Sequence, residues 1–471
     1  MRLPSPRRNV KSAHSQRPVT KSHLSELELF HQNLLAGKIS CEEQVRQELS
    51  NIGSYDRKLN AFITVFSGDH GLAGARAREL DRRLEQTGPG DVPPLQGVPV
   101  TLKDNIFLAG FPTTNGSACF EDFVPNVNAD IVDLLLGAGC VPLGKTNLQE
   151  LALGVTATGA YGGPIRNPVD PTRVSGGSSG GSAASVALAK GPMISVGSDT
   201  GGSVRIPAAL CGVCGFKPSQ GLLGTAGVFP LGPSLDHLGL LTKTMPDMSL
   251  AFGVLAGGQH VRKVGSRLGV PSSYFTEQMD ETVSRDFWRA VDSLRESGEF
   301  QLVDVPVEDS IRRYSKARSV IMLREAAWFY EELLVSPGLR RKMHHDVVAL
   351  LDLGRKMGPI EYMRSMALRA DSIRMVPSLL DGVDALIMPT CLITAPRVED
   401  VLGKETGPIR TLLLRNTELF NLCGLPALSL PIERTGSTKP TGLQVVGRYW
   451  QDPTVVSIAE AIWATLHRRN R

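Results

Sequence analysis

Arg173 to Pro218 reads RVSGGSSGGSAASVALAKGPMISVGSDTGGSVRIPAALCGVCGFKP, and its two glycine-serine clusters decide the fold. The first is Gly176-Gly177-Ser178-Ser179-Gly180-Gly181-Ser182, and the second is Asp199-Thr200-Gly201-Gly202-Ser203. Between them, Ala183 to Gly197 is apolar and long enough for one helix followed by one strand, which folds the clusters back beside each other. Glycine lacks Cβ, so such turns take positive φ and aim consecutive N–H groups at one anion. That anion is a bound phosphate, or an oxyanion formed while a carbonyl is attacked. A serine closing the second nest favours the oxyanion, since the Ser203 hydroxyl reaches a carbonyl carbon while the preceding amides face the developing charge.

A free hydroxyl is a poor nucleophile at neutral pH and needs a base. Of nine histidines, only His237, in SLDHLG, lies near the clusters, and its setting points to a structural role. Lys103 is the better candidate. It ends Gly97-Val98-Pro99-Val100-Thr101-Leu102-Lys103, a mostly apolar, partly β-branched run that reads as a buried strand delivering an amine to an interior edge. Burial disfavours the ammonium form, so this lysine sheds its proton near neutral pH.

GVPVTLKDNI around Lys103, GGSSGGSAA around Ser178 and SDTGGSVRIPAALCGVCGFKP around Ser203 together resemble the amidase signature family. The resemblance runs from about Leu27 to the C-terminus. It implies an α/β fold: a single large domain whose mixed central β-sheet is covered by helices on both faces. It further implies a serine, serine and lysine triad, in which Ser203 is the acyl-accepting nucleophile, Ser178 the bridging serine after a cis bond from Gly177, and Lys103 the base. Thr200, Gly201, Gly202 and Ser203 would then supply oxyanion-hole amides. Ser179, Asp199 and Arg205 are candidates for substrate contact or loop support, and pairing of Asp199 with Arg205 is the plainer expectation. The chemistry so implied requires no metal and no organic cofactor.

The function expected is hydrolysis of a non-peptide carbon–nitrogen amide bond through an acyl-serine intermediate. Two alternatives stay open: the glutaminase component of a tRNA-dependent amidotransferase complex, which needs partner subunits, and a catalytically silent binding protein of the same fold. Arg313 to Met375 shows little of the tyrosine-rich stretch associated with that glutaminase, and intact Lys103, Ser178 and Ser203 oppose the silent reading. The expected partner is a small-molecule amide, with no nucleic acid outside the amidotransferase reading and no membrane. A homodimer is compatible with this reading.

Composition bounds the same conclusion. The 471 residues, 42% hydrophobic and 21% charged, give ample core for a soluble globular enzyme, and no apolar run reaches the ~18 residues of a membrane span. The net charge of +4 misleads, because Arg2, Arg7, Arg8, Lys11, Arg17 and Lys21 fall in an acid-free start and the remainder carries about −2, too little for a broad nucleic-acid footprint. Residues 1–22 are basic and broken by proline, a disordered tail or a mitochondrial leader, and 23–471 form the amidase domain. The compartment expected is the cytoplasm, or the mitochondrion if that start is a leader.

Seven cysteines in apolar settings read as reduced thiols, with Cys211 and Cys214 as core despite their CxxC spacing. Gly139 to Thr146 spells a Walker A motif, yet its apolar, strand-like interior makes it structural. His344 and His345 are adjacent, and helix geometry would point them apart, against a shared metal. Met322, Trp328, Phe329, Tyr330 and Met343 are expected in helix core rather than in a substrate funnel. Ser40 to Ile52 reads as a helix, Arg313 to Met357 as one long helical region, and Asn421 to Pro431 as a strand region.

Overall fold

The computed structural model of the chain describes residues 25–68, 71–257, 266–432 and 439–468. The expected tail or leader over 1–22 lies outside the described residues. Eleven strands among the described residues form one sheet: β1 Phe62–Val65, β2 Pro99–Lys103, β3 Val141–Thr146, β4 Ile194–Ser198, β5 Cys214–Lys217, β6 Leu238–Thr242, β7 Arg267–Pro271, β8 Gln301–Val305, β9 Ala385–Pro389, β10 Ala427–Pro431 and β11 Gly442–Val446. Their order is β1-β3-β2-β4-β6-β5-β10-β11-β9-β7-β8. β2 runs parallel to β3 and β4, and β7 parallel to β8 and β9, while the other neighbours are antiparallel, so the sheet is mixed.

Strand side chains alternate between faces, and here the alternation separates two cores. In β9, Ala385 and Ile387 join one apolar cluster while Leu386 and Met388 join the other. Helices Glu26–Leu35, Met245–Leu255, Glu281–Glu296 and Asp452–Leu466 pack into the first core, and Arg312–Phe329 and His345–Lys356 into the second. With both faces covered, strands such as Ala385–Pro389 are buried at every residue, as a two-sided apolar run requires. This is the α/β domain expected, with one large mixed sheet between helical layers.

Local signals set several boundaries. Ser25 Oγ accepts from Glu28 N at 2.9 Å while Glu28 Oε2 accepts from Ser25 N at 3.0 Å, a capping box that starts helix Glu26–Leu35 and contributes about 1 kcal/mol. The helix expected to stop at Ile52 instead spans Cys41–Leu59 and ends where Asn60 turns left-handed at φ 57. The long region from Arg313 breaks into Arg312–Phe329, Glu331–Val335, Pro337–Arg340 and His345–Lys356, interrupted at Tyr330 and again before Pro337. Asn421 and Leu422 close the short helix Glu418–Leu422, so that strand region begins only at Ala427, after Pro426.

Met322, Tyr330 and Met343 are core, whereas Trp328 and Phe329 are 68% and 42% exposed. The Walker-like stretch forms buried β3, where Lys145 pairs with Asp104 at 2.7 Å. Cys211 and Cys214 are buried free thiols. No described helix is long and apolar enough to cross a membrane.

Candidate active site

β2 ends on Lys103, whose side chain is wholly buried. Its Nζ donates to Ser178 Oγ at 2.7 Å and to Ser198 Oγ at 2.8 Å. Burial pulls the Lys103 pKa down to about 7, although the charges of Asp199 and Asp236 work to raise it. The amine is therefore poised to exchange a proton at neutral pH. Ser198, the last residue of β4, is a partner that sequence reading missed, because a lone serine ending an apolar strand carries no local signal.

Ser178 is buried and follows a cis Gly177–Ser178 peptide bond. Its carbonyl accepts from Gln149 N at 3.1 Å, and Gly177 N donates to Val155 O at 2.7 Å, so the loop 149–159 holds this turn from below. Glycine is required at 176, where φ is +78 and a Cβ would come within 2.9 Å of Leu210 Cδ1. Helix Gly180–Leu188 then leads to β4, which returns the chain to the same place. Ser179 joins the two clusters, its N–H donating to Ser203 O and its Oγ to Ser198 O, both at 3.1 Å.

Ser203 is 6% exposed, and its hydroxyl makes no hydrogen bond among the described residues. The amides of Thr200, Gly201 and Ser203 are likewise unengaged there. The Gly202 amide departs from expectation: it donates to Asp199 Oδ1 at 2.8 Å. Gly202 supplies its φ of +135 instead, a conformation other residues rarely adopt.

Asp199 and Arg205 pair at 2.9 Å with both side chains wholly buried. Burial works to raise the Asp199 pKa, but the Arg205 charge and hydrogen bonds outweigh it and hold the carboxyl below its usual range. Arg205 also donates to Gln444 Oε1 at 2.8 Å, Asn421 Oδ1 at 2.6 Å and Thr417 O at 3.1 Å. These three partners sit more than 200 residues downstream, beyond any local motif. Thr200 Oγ1 donates to Asp236 Oδ1 at 2.5 Å, and Arg318 donates to Thr200 O at 3.3 Å, fixing the loop from two further sides. His237 is buried with Nδ1 2.7 Å from Leu235 O, which fits a structural role.

A cavity opens beside Ser198 and Thr200, walled by Phe229, Pro230, Leu231 and Pro233, with Asp236 and His237 behind. Among the described residues, no lysine or arginine lines it. Burial drives the His237 pKa far below its ordinary value, so this ring is neutral. Phe229 packs within 5.4 Å of Phe107, Phe120 and Phe123, an aromatic wall on the cavity side. A larger cavity near β8, lined by residues such as Val305, Tyr314 and Leu379, contains none of the predicted site residues.

Comparison with known proteins agrees with this layout. The Amidase family model matches residues 43–456. The GatA-type component of a glutamyl-tRNA(Gln) amidotransferase from Methanosarcina barkeri is 32% identical over 461 aligned residues, covering 89% of this chain and 93% of its own length. An indoleacetamide hydrolase from Pseudomonas savastanoi is 32% identical over 453, covering 93% and 95%. A solved amidase structure superposes with a TM-score of 0.84 at 32% identity, covering 93% of this chain and 99% of its own.

Proposed function

The chain belongs to the Amidase family and is a hydrolase of carbon–nitrogen bonds other than peptide bonds, and from that premise we propose that Ser203, Ser178 and Lys103 hydrolyse a neutral carboxamide through an acyl-serine. Ser203 Oγ attacks the carbonyl carbon, and its proton passes through Ser178 to neutral Lys103. The oxyanion takes hydrogen bonds from the amides of Thr200, Gly201 and Ser203, each worth about 3 to 4 kcal/mol where geometry is good. As the carbon–nitrogen bond breaks, Lys103 returns the proton through Ser178 to the departing nitrogen. Water then attacks the ester, the same pair takes and returns a proton, and Ser203 is regenerated with release of the carboxylic acid.

The observation that carries this reading is the 2.7 Å contact between Lys103 Nζ and Ser178 Oγ at a buried amine whose pKa is about 7. Asp199, Arg205 and Ser179 act in it as supports of the loop. The substrate is a small amide whose apolar part rests against the Phe229 wall.

The amidotransferase reading has the relative from Methanosarcina barkeri in its favour. Against it stands the cavity lining, which offers no cation to the α-carboxylate of glutamine. Ammonia release by the purified chain on aliphatic, aryl and indole-acetic amides and on glutamine separates the two, with Ser203→Ala as control. Turnover of neutral amides, lost in Ser203→Ala, is the expected result. Turnover of glutamine alone, or silence until partner subunits are added, would transfer the assignment to the second reading.

A further inference from the structure

We propose that His344, His345 and Asp346 form a binding site for one divalent transition-metal ion of the zinc kind. The sequence expectation that the two imidazoles point apart assumes both lie on one helix. They do not: His344 is the N-cap, with extended φ −63 and ψ 139, and the helix opens only at His345. The rings consequently lie side by side, centroids 4.3 Å apart and planes 31° from parallel.

Asp346 completes the set. Its Oδ2 is 3.9 Å from His344 Nδ1 and its Oδ1 is 3.7 Å from His345 Nε2. One ligand atom from each of the three residues falls within 4.8 Å of the others. Ligands around a tetrahedral zinc at about 2.0 Å stand roughly 3.3 Å apart, so an ion draws them in by about half an ångström.

Two further observations point to a cation. Asp346 is 5% exposed, and its Oδ2 is buried without a hydrogen-bond partner, a costly state for a carboxylate oxygen that an adjacent positive ion relieves. The ligand nitrogens also face glycines: a Cβ on Gly159 would stand 3.0 Å from His344 Nδ1, and one on Gly403, at φ +70, would stand 3.0 Å from His345 Nε2. The competing claim on the His344 Nδ1 lone pair is a long 3.3 Å bond from Asp346 N. Burial also lowers the His344 pKa, which keeps the ring in its ligating form.

Two imidazoles and one carboxylate suit zinc, nickel or copper over magnesium or calcium, and leave at least one position to water. None of the ligands belongs to the reacting set, so the ion's task is mechanical. His344 N donates to Glu150 Oε2 at 2.6 Å, and Glu150 follows Gln149, whose amide holds the Ser178 carbonyl. The ion thus pins the start of helix His345–Lys356 against the loop 149–159.

The test is calorimetric titration of ZnCl2 into the untagged, EDTA-stripped full chain, paired with melting curves with and without Zn²⁺. Wild type is expected to bind one ion with a dissociation constant on the order of micromolar and to melt higher in its presence. The side chain of His345 is 72% exposed, so His345→Ala leaves the fold intact and is expected to weaken binding at least roughly tenfold and to abolish the melting shift. Asp346→Asn should do the same. Absence of saturable binding below about 1 mM, or an affinity unchanged in His345→Ala, overturns the site.

Discussion

Arg205 Nη2 lies 2.9 Å from Asp199 Oδ1, and water reaches neither side chain. The pair is the frame of the nucleophile loop, because the same carboxylate accepts from the amides of Gly202 and Val204. Removing the cation strands a buried anion. Arg205→Met is therefore expected to cost about 3 to 5 kcal/mol of unfolding free energy, read as a lower urea midpoint with little change in slope.

Lys103 sets the acid limb of activity. Its neutral form is the base, so kcat/KM should fall about tenfold per pH unit below an apparent pKa near 7 and level off above it. An acid limb centred near 4 to 5 would assign the base to a carboxylate instead.

The same lysine leaves a mark on stability. Its folded pKa is depressed, so between about 7 and the ordinary value of 10.5 the unfolded chain holds a proton that the folded chain lacks. The resulting destabilisation is fully present below about pH 7 and is relieved as pH rises toward 10.5. Wild type should gain stability relative to Lys103→Met across that window, and parallel unfolding curves from about pH 7 to 10 would contradict the buried-amine assignment.

Ser203 and Ser178 should separate kinetically. Acid quenching during turnover is expected to trap the acyl group on the peptide containing Ser203, detected by its mass increment, and Ser203→Ala should trap none. Ser178→Ala should lower kcat by roughly 10² to 10⁴ with KM nearly unchanged, since it breaks proton transfer and not binding.

Gly201 tests the loop itself. A Cβ there would strike the guanidinium of Arg318, the group that fixes Thr200 O. Gly201→Ala should reduce kcat about a hundredfold or more, as loss of one oxyanion donor does, with only modest change in melting temperature.

Much of this centre was legible in the sequence for a definite reason: Lys103, Ser178 and Ser203 each sit in a local pattern that dictates their backbone. A β-branched run announces the strand under Lys103, and paired glycines announce turns that no other residue tolerates. What stayed hidden was contributed across distance. Ser198 meets Lys103 through pairing of β2 with β4, and Asn421 and Gln444 reach Arg205 through a helix and a strand far downstream. His344 escaped for a different cause, since one residue of disagreement about where a helix begins reverses where its ring points. Gly202 shows the converse limit: its residue type was read correctly as a turn former, but the destination of its amide depended on a neighbouring charge.

The ties of Arg205 to Thr417, Asn421 and Gln444 also say how the protein must mature. A fragment released at Pro218 would contain every signature residue and no working centre, because the guanidinium would lack three of its acceptors. During synthesis, then, the reactive serine emerges from the ribosome long before the chain can arm it, and competence arrives only when β11 docks into the sheet. Proteolysis or truncation near the C-terminus should consequently silence the enzyme as thoroughly as substitution of Ser203.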